Sequence, residues 1–326
     1  MIFATDLHLT DRARDEYRWK FFEWLDNRLH DAWNDDVLVI LGDITDAKDG
    51  HSAQLVNRII TTLMSLPVKK VYMLQGNHDY VDENEAFLSF MKHGLGNKLF
   101  WIAEPRVIDI EDFGVLMLPH SRSPVSRWAA IDRLVERADI ICCHQTFNGA
   151  DAGGHALTSE VSSKFFHSKF DYRGKVLSGD VHIPHQLGCI TYVGCPYHID
   201  FGDSFSPRVL RRGRGENELC FDSVSVPHIR RWSLDIKHPD ELRDMPDVKT
   251  GDQLKVRIHL KRTEFGAWDA HKRRLLELAS ELGVEVFSVD LKERVGRRRE
   301  KQTVNNRGIA DPKKTLRNFC IQRGIH

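Results

Sequence analysis

Five short apolar runs in this chain end in side chains that contribute nothing to packing. The run at 2–5 leads into Asp6-Leu7-His8, and the run at 37–41 into Gly42-Asp43-Ile44-Thr45-Asp46. The run at 71–75 leads into Gly76-Asn77-His78-Asp79. The run ending in Cys142-Cys143 leads into His144, and that at 175–177 into Gly179-Asp180-Val181-His182. Continuous apolar runs of this length read as strands covered on both faces. Such strands belong to layered α/β architectures, where ligands collect beyond the carboxyl ends of the strands.

The intervening segments fit that class. Helical spacing at 14–33 places Tyr17, Phe21, Trp24, Leu25 and Leu29 on one face. Further helices are expected at 52–65, 83–92 and 126–137, and further strands at 107–110, 115–118, 189–193, 218–225 and 230–236. The stretch 204–217 is basic and glycine-bearing and reads as a loop; 238–251, with two prolines and many acids, reads as a linker. A strand at 253–260, a helix at 267–282 and a strand at 284–290 form a small β-α-β unit. The expected division is a main domain at 1–237, a second domain at 238–291 and a basic tail at 292–326.

Composition removes several classes. No apolar run approaches the ~18 residues of a membrane-spanning helix, and the start, MIFATDLHL, lacks a signal peptide's basic and apolar segments. Six scattered cysteines without a CxxC pair argue against a disulfide framework and a zinc ribbon, so a reduced, cytoplasmic protein is expected. The formal net charge is zero but uneven: residues 1–205 carry 20 basic and 29 acidic side chains, and residues 206–326 carry 27 and 18. An acidic half suits bound cations, and a basic half suits a polyanion or an acidic partner.

In Asp6-x-His8 and Asp180-x-His182, an extended backbone would send both side chains to one face. Carboxylate, amide oxygen and imidazole together suit Mn²⁺, Fe²⁺, Zn²⁺ or Mg²⁺, while the lack of cysteine ligands argues against a structural zinc. A lone Asp-x-His arises by chance, and most isolated histidines are surface residues. Five such groups, in order and each at a strand end, point to a two-metal site.

D-x-H, G-D-x-x-D, G-N-H-D, a later single histidine and G-x-x-H, in this order, resemble the calcineurin-like metallophosphoesterases over about residues 1–205. Within them, ATDLHLT, LGDITD and YVGCPYHIDFGD are similar to SbcD-type DNA repair nuclease subunits, and the short chain with SGDVH is similar to a phage-encoded member. The resemblance implies an α/β/β/α core with a small C-terminal β-α-β cap. It implies that Asp6, His8, Asp43 and His182 hold one metal, and Asp43, Asn77, His144 and Asp180 the other. His78 would protonate the leaving oxygen, with Asp79 beside it; Asp46 and Asp79 would orient their neighbours, and His120 would lie at the same rim. Asp180 stands where the family usually has histidine. The resulting anionic shell favours Mn²⁺, or Mg²⁺, over Zn²⁺.

The implied activity is metal-dependent hydrolysis of DNA phosphodiesters, exonucleolytic or endonucleolytic, alongside an SbcC-type coiled-coil ATPase and as a homodimer. Arg208, Arg211, Arg212 and Arg214 are candidate DNA contacts, an exposed basic loop being the plainer reading. Arg297-Arg298-Arg299 and Lys313-Lys314 are candidates for DNA or the ATPase. A phosphomonoesterase or protein phosphatase with the same metals, and a non-catalytic scaffold, are the alternatives. The basic half and the cap favour DNA over the first; the Asn77-His78 pair argues against the second.

Overall fold

The computed structural model describes residues 1–31, 33, 37–82, 86–110, 112–212, 219–245 and 247–294. The chain opens with four parallel strands, β1 (Ile2–Ala4), β2 (Val37–Ile40), β3 (Lys70–Leu74) and β4 (Leu99–Ile102). Helices α1 (Lys20–Asp31) and α2 (Ala53–Ser65) lie in the first two crossovers. A second sheet follows: β5 (Arg106–Ile110), β6 (Phe113–Leu118), β7 (Ile140–His144), β8 (Lys175–Gly179), β9 (His185–Leu187) and β10 (Ile190–Tyr192). Its order is β5-β6-β7-β8-β10-β9, with the short helices α3 (Pro124–Arg127), α4 (Asp132–Val135) and α5 (Phe165–Phe170) in its connections. The chain then returns to the first sheet as β11 (Arg208–Arg211) and β12 (Asp222–Ser225), giving the order β12-β11-β1-β2-β3-β4.

Strand periodicity explains the layers. Phe3, Val39 and Leu74 from the first sheet meet Val115, Met117, Cys142 and Leu177 from the second in one apolar cluster. The alternate residues Ile2, Leu38, Ile40 and Met73 point outward onto Phe21, Leu25, Leu55 and Ile59 of α1 and α2. On the far side, Leu116, Ile141 and Val176 pack on Trp128, Ile131 and Phe166. The result is the expected α/β/β/α arrangement.

A third sheet of three parallel strands, β13 (Arg231–Ile236), β14 (Gln253–Leu260) and β15 (Glu285–Glu293), carries helix α6 (Trp268–Leu282) on one face. β13 precedes residue 238 but pairs along its whole length with β14, because Leu234 and Ile236 are needed to cover α6. The unit is tied to the core through buried Arg231. Arg231 donates to the Gln253 side chain at 3.0 Å and to the Ile199 carbonyl, and its guanidinium lies over the Phe201 ring at 4.1 Å.

Several local expectations change. The helix expected at 14–33 begins as a 3-10 turn, Ala13–Arg18, and that at 126–137 is the pair α3 and α4. Of the helix expected at 83–92, the described residues hold only a 3-10 turn, Ser89–Met91. The linker at 238–251 contains a 3-10 helix, Pro239–Asp244, closed by a reciprocal cap between His238 and Glu241. The basic loop at 204–217 contains β11, which pairs antiparallel with β1.

Candidate metal centre

Every strand that carries a candidate ligand ends at the same rim. Asp6 and His8 follow β1, Asp43 follows β2, Asn77 and His78 follow β3, His144 closes β7, and Asp180 and His182 follow β8. The backbone there is not extended. Asp6, His8, Asp43 and Asp180 have φ of 53°, 42°, 52° and 76°. Left-handed backbone is costly for non-glycine residues and gathers at functional sites. The reading that Asp-x-His keeps strand alternation therefore fails. The first loop bends alongside the second, with Asp6 N donating to the Gly42 carbonyl at 3.1 Å and His8 N to the Asp43 carbonyl at 2.9 Å. Gly42, at φ +95°, has no room for a side chain: an added Cβ would lie 2.3 Å from His144 Nδ1.

The donor atoms converge. The ligand atoms of Asp6, His8 and His182 lie within 4.8 Å of one another, as do those of Asp6, Asp43 and His144, and those of His8, Asp43 and His78. His8 Nε2 is 3.2 Å from His182 Nε2 and 3.5 Å from Asp43 Oδ2. His144 Nε2 is 3.3 Å from Asp43 Oδ1 and 3.7 Å from Asp180 Oδ1. His144 Nδ1 donates to the Leu41 carbonyl at 2.5 Å, which leaves Nε2 to face the site.

Asn77 tests whether this set suits a cation. Its inward amide atom lies 2.9 Å from both Asp43 oxygens and 3.0 Å from His144 Nε2. With its oxygen inward it accepts from the charged His144 Nε2, and it would offer an electron pair to a cation that took the place of that proton. The donor set is that of hard or borderline divalent ions.

Electrostatics agree. Burial holds His8 well below the usual imidazole range, so it is a neutral donor. Burial also raises Asp6 to about 6. At Asp43 burial works upward, but His144, His8 and His78 outweigh it and hold the carboxylate ionised. Burial opposes a proton on His144, yet Asp43, Asp6 and Asp180 keep it charged. A divalent ion would take the place of that charge.

The remaining candidates separate. Asp79 does not face the rim. Buried, it accepts from Ile44 N at 2.9 Å, Thr45 N at 3.2 Å and Gly76 N at 2.8 Å, and so clamps the second loop to the third. Asp79 is thus a residue that positions the two loops. Asp46 accepts from His78 Nδ1 through its carbonyl at 2.7 Å, and its carboxylate lies 3.8 Å from His8 Nδ1. His120 meets the Tyr80 hydroxyl at 2.7 Å, with its ring 6.0 Å from that of His144.

The exposed basic loop is corrected at Arg208 and Arg212. Arg208 donates to the Val193 and Tyr192 carbonyls at 3.1 and 2.9 Å; Arg212 is buried over the Phe113 ring at 4.0 Å. Arg211 lies over Trp33 at 5.0 Å. Arg214, Arg297-Arg298-Arg299 and Lys313-Lys314 fall outside the described residues.

Three supports escaped the sequence reading. Buried Arg18 donates to the His8 carbonyl and lies 3.6 Å from Asp46 Oδ1. Tyr197 donates to the Leu7 carbonyl, and Cys195 N to the His182 carbonyl at 2.9 Å. The only sequence signal was the cluster YVGCPYHIDFGD, which braces the first ligand loop through the Tyr197 hydroxyl and the last through the Cys195 backbone N.

A family model for calcineurin-like phosphoesterases matches residues 1–184. The chain belongs to that family. This calcineurin-like phosphoesterase has no match among curated proteins. Membership accounts for the rim: residues 1–184 contain β1 through β8 and all the candidate ligands. Among the described residues, no helix of the phosphoesterase is long and apolar enough to cross a membrane.

Proposed function

We propose that this phosphoesterase is a metal-dependent DNA nuclease of the SbcD type that hydrolyses phosphodiesters with water and forms no covalent enzyme intermediate. The observation carrying the reading is the convergence of Asp6, His8, Asp43, Asn77, His144 and His182 on one rim, with His78 beside them. Asp6, His8, Asp43 and His182 would hold one divalent ion; Asp43, Asn77, His144 and Asp180 would hold the other, Asp43 being shared. Two such ions, manganese in this reading and magnesium as the substitute, neutralise phosphate charge and make water nucleophilic at neutral pH.

The chain's own groups do the rest. His78 Nδ1 is engaged by the Asp46 carbonyl, so Nε2 is the atom that carries a proton to the departing alkoxide. Asp79 keeps the loops bearing Asp43 and Asn77 in register. The left-handed backbone at Asp6, His8, Asp43 and Asp180 sets the donors before substrate arrives.

A polymeric diester is favoured over a small monoester by the third sheet, which a monoesterase does not need. Between it and the core lies a cleft of about 530 Å³ lined by Phe201, Ser233, Lys255, Arg257 and Lys292, with Asp200 and Asp290. Asp200 also lines a cavity of about 200 Å³ that reaches Asp180 and His182. The reading extends to an SbcC-type ATPase partner, a homodimer and a phage-encoded origin, all on the resemblance. Purified protein with Mn²⁺ should degrade end-labelled linear and hairpin DNA. Intact DNA with rapid hydrolysis of an aryl phosphate would replace this reading with the phosphomonoesterase.

A further inference from the structure

Asp180 is set differently from the other carboxylates at the rim. Its Oδ2 accepts from Thr146 Oγ1 at 2.5 Å, and its backbone N donates to Asp6 Oδ1 at 3.2 Å. Oδ1 is left facing His144 Nε2 at 3.7 Å. The residue sits at φ +76°, a conformation that aspartate tolerates better than most side chains. Thr146 lies two residues beyond His144, so the strand end that supplies one donor also orients another.

We infer that Thr146 and Asp180 form the selectivity element of the second cation position, turning it toward manganese or magnesium and away from zinc. This rests on the two-ion reading above. Thr146 occupies one carboxylate oxygen, so Asp180 offers a single oxygen, fixed in direction. The second position then has three oxygen donors, from Asp43, Asn77 and Asp180, and one nitrogen, from His144. The first has two of each, from Asp6, Asp43, His8 and His182. Oxygen donors suit manganese and magnesium, while imidazole favours zinc. The two positions should therefore differ in preference, and residue 180 should set the difference.

The test is metal binding rather than turnover. Full-length chain stripped with chelator is titrated with MnCl₂ and with ZnCl₂, separately and in competition, with bound metal counted by equilibrium dialysis and elemental analysis. The native chain should take up two Mn²⁺, the second site showing the weaker zinc preference. Asp180→His should move the zinc-to-manganese ratio of the second site toward zinc by about tenfold or more, and Thr146→Val should weaken its Mn²⁺ affinity about tenfold, leaving the first site unchanged. Asp180→Asn, which keeps an oxygen donor, should retain the manganese preference; with Thr146→Val it decides the matter if Asp180→His does not fold. Two ions bound, with ratio and affinity unmoved by these changes, would overturn the selectivity element alone. A native chain that takes up no second ion would overturn the two-ion reading and this inference with it.

Discussion

His78 is turned by Asp46: its Nδ1 lies 2.7 Å from the Asp46 main-chain carbonyl, while its backbone N donates to Asp43 Oδ1 at 2.8 Å. One residue is thus fixed by the loop that also carries a candidate metal ligand. His78 is also near enough to His8 and Asp43 to be a ligand itself, so its role needs a direct test. His78→Ala should lower turnover by about 10²–10⁴-fold, the range of general acid catalysis, and leave bound metal unchanged. Parallel loss of metal would make it a ligand instead.

Metal uptake should depend on pH through Asp6, which burial raises to about 6. As the pH falls through 6 its carboxylate takes a proton, and the proton competes with the cation. Apparent Mn²⁺ affinity should fall as the pH drops through about 6. Saturating metal stabilises the fold by about 2.7 kcal/mol at a free concentration one hundred times Kd. Thermal unfolding with and without chelator at pH 7.5 and 5.5 would read both effects, the Mn²⁺-induced shift being smaller at the lower pH.

Asp79→Ala should destabilise the metal-free protein, because three buried backbone N–H groups lose their acceptor. A buried unsatisfied group costs about 1–3 kcal/mol. Denaturant unfolding would measure the loss, and Asp79→Asn should recover part of it by keeping one oxygen.

His198, distant in sequence from the ligands, should add a separate acid sensitivity. Burial holds its pKa below the ordinary imidazole value, and its Nε2 meets the Phe205 carbonyl at 2.9 Å. The unfolded chain takes up a proton near pH 6.5 that the native state refuses. The stability that His198 supports is therefore complete above about 6.5 and lost as the pH falls below it. His198→Gln should flatten the fall in denaturation midpoint between pH 7 and 5; an unchanged slope would remove His198 as its source.

Much of the centre was legible because its signals are local. An apolar run followed by Gly and Asp or Asn marks a strand meeting a polar turn, and Gly42 shows why: no other residue fits against His144. Where the outcome depended on distant partners, legibility ended. β4 reads Leu-Phe-Trp-Ile and is a strand because β3 lies beside it. Residues 208–211 looked like a basic loop and became a strand because β1 had a free edge. Arg208 and Arg212 were then drawn into packing.

The amino-acid order by itself determined the layered α/β class, the strands buried on both faces, and the residues at the strand ends. Those properties follow from side-chain alternation and turn chemistry, which act over a few residues. The tertiary structure decided that Leu41 and His144, 103 positions apart, share a hydrogen bond. It decided that Asp79 clamps two loops, and that Thr146 holds Asp180. Sheet order sets which strand ends become neighbours, and no local period encodes that order.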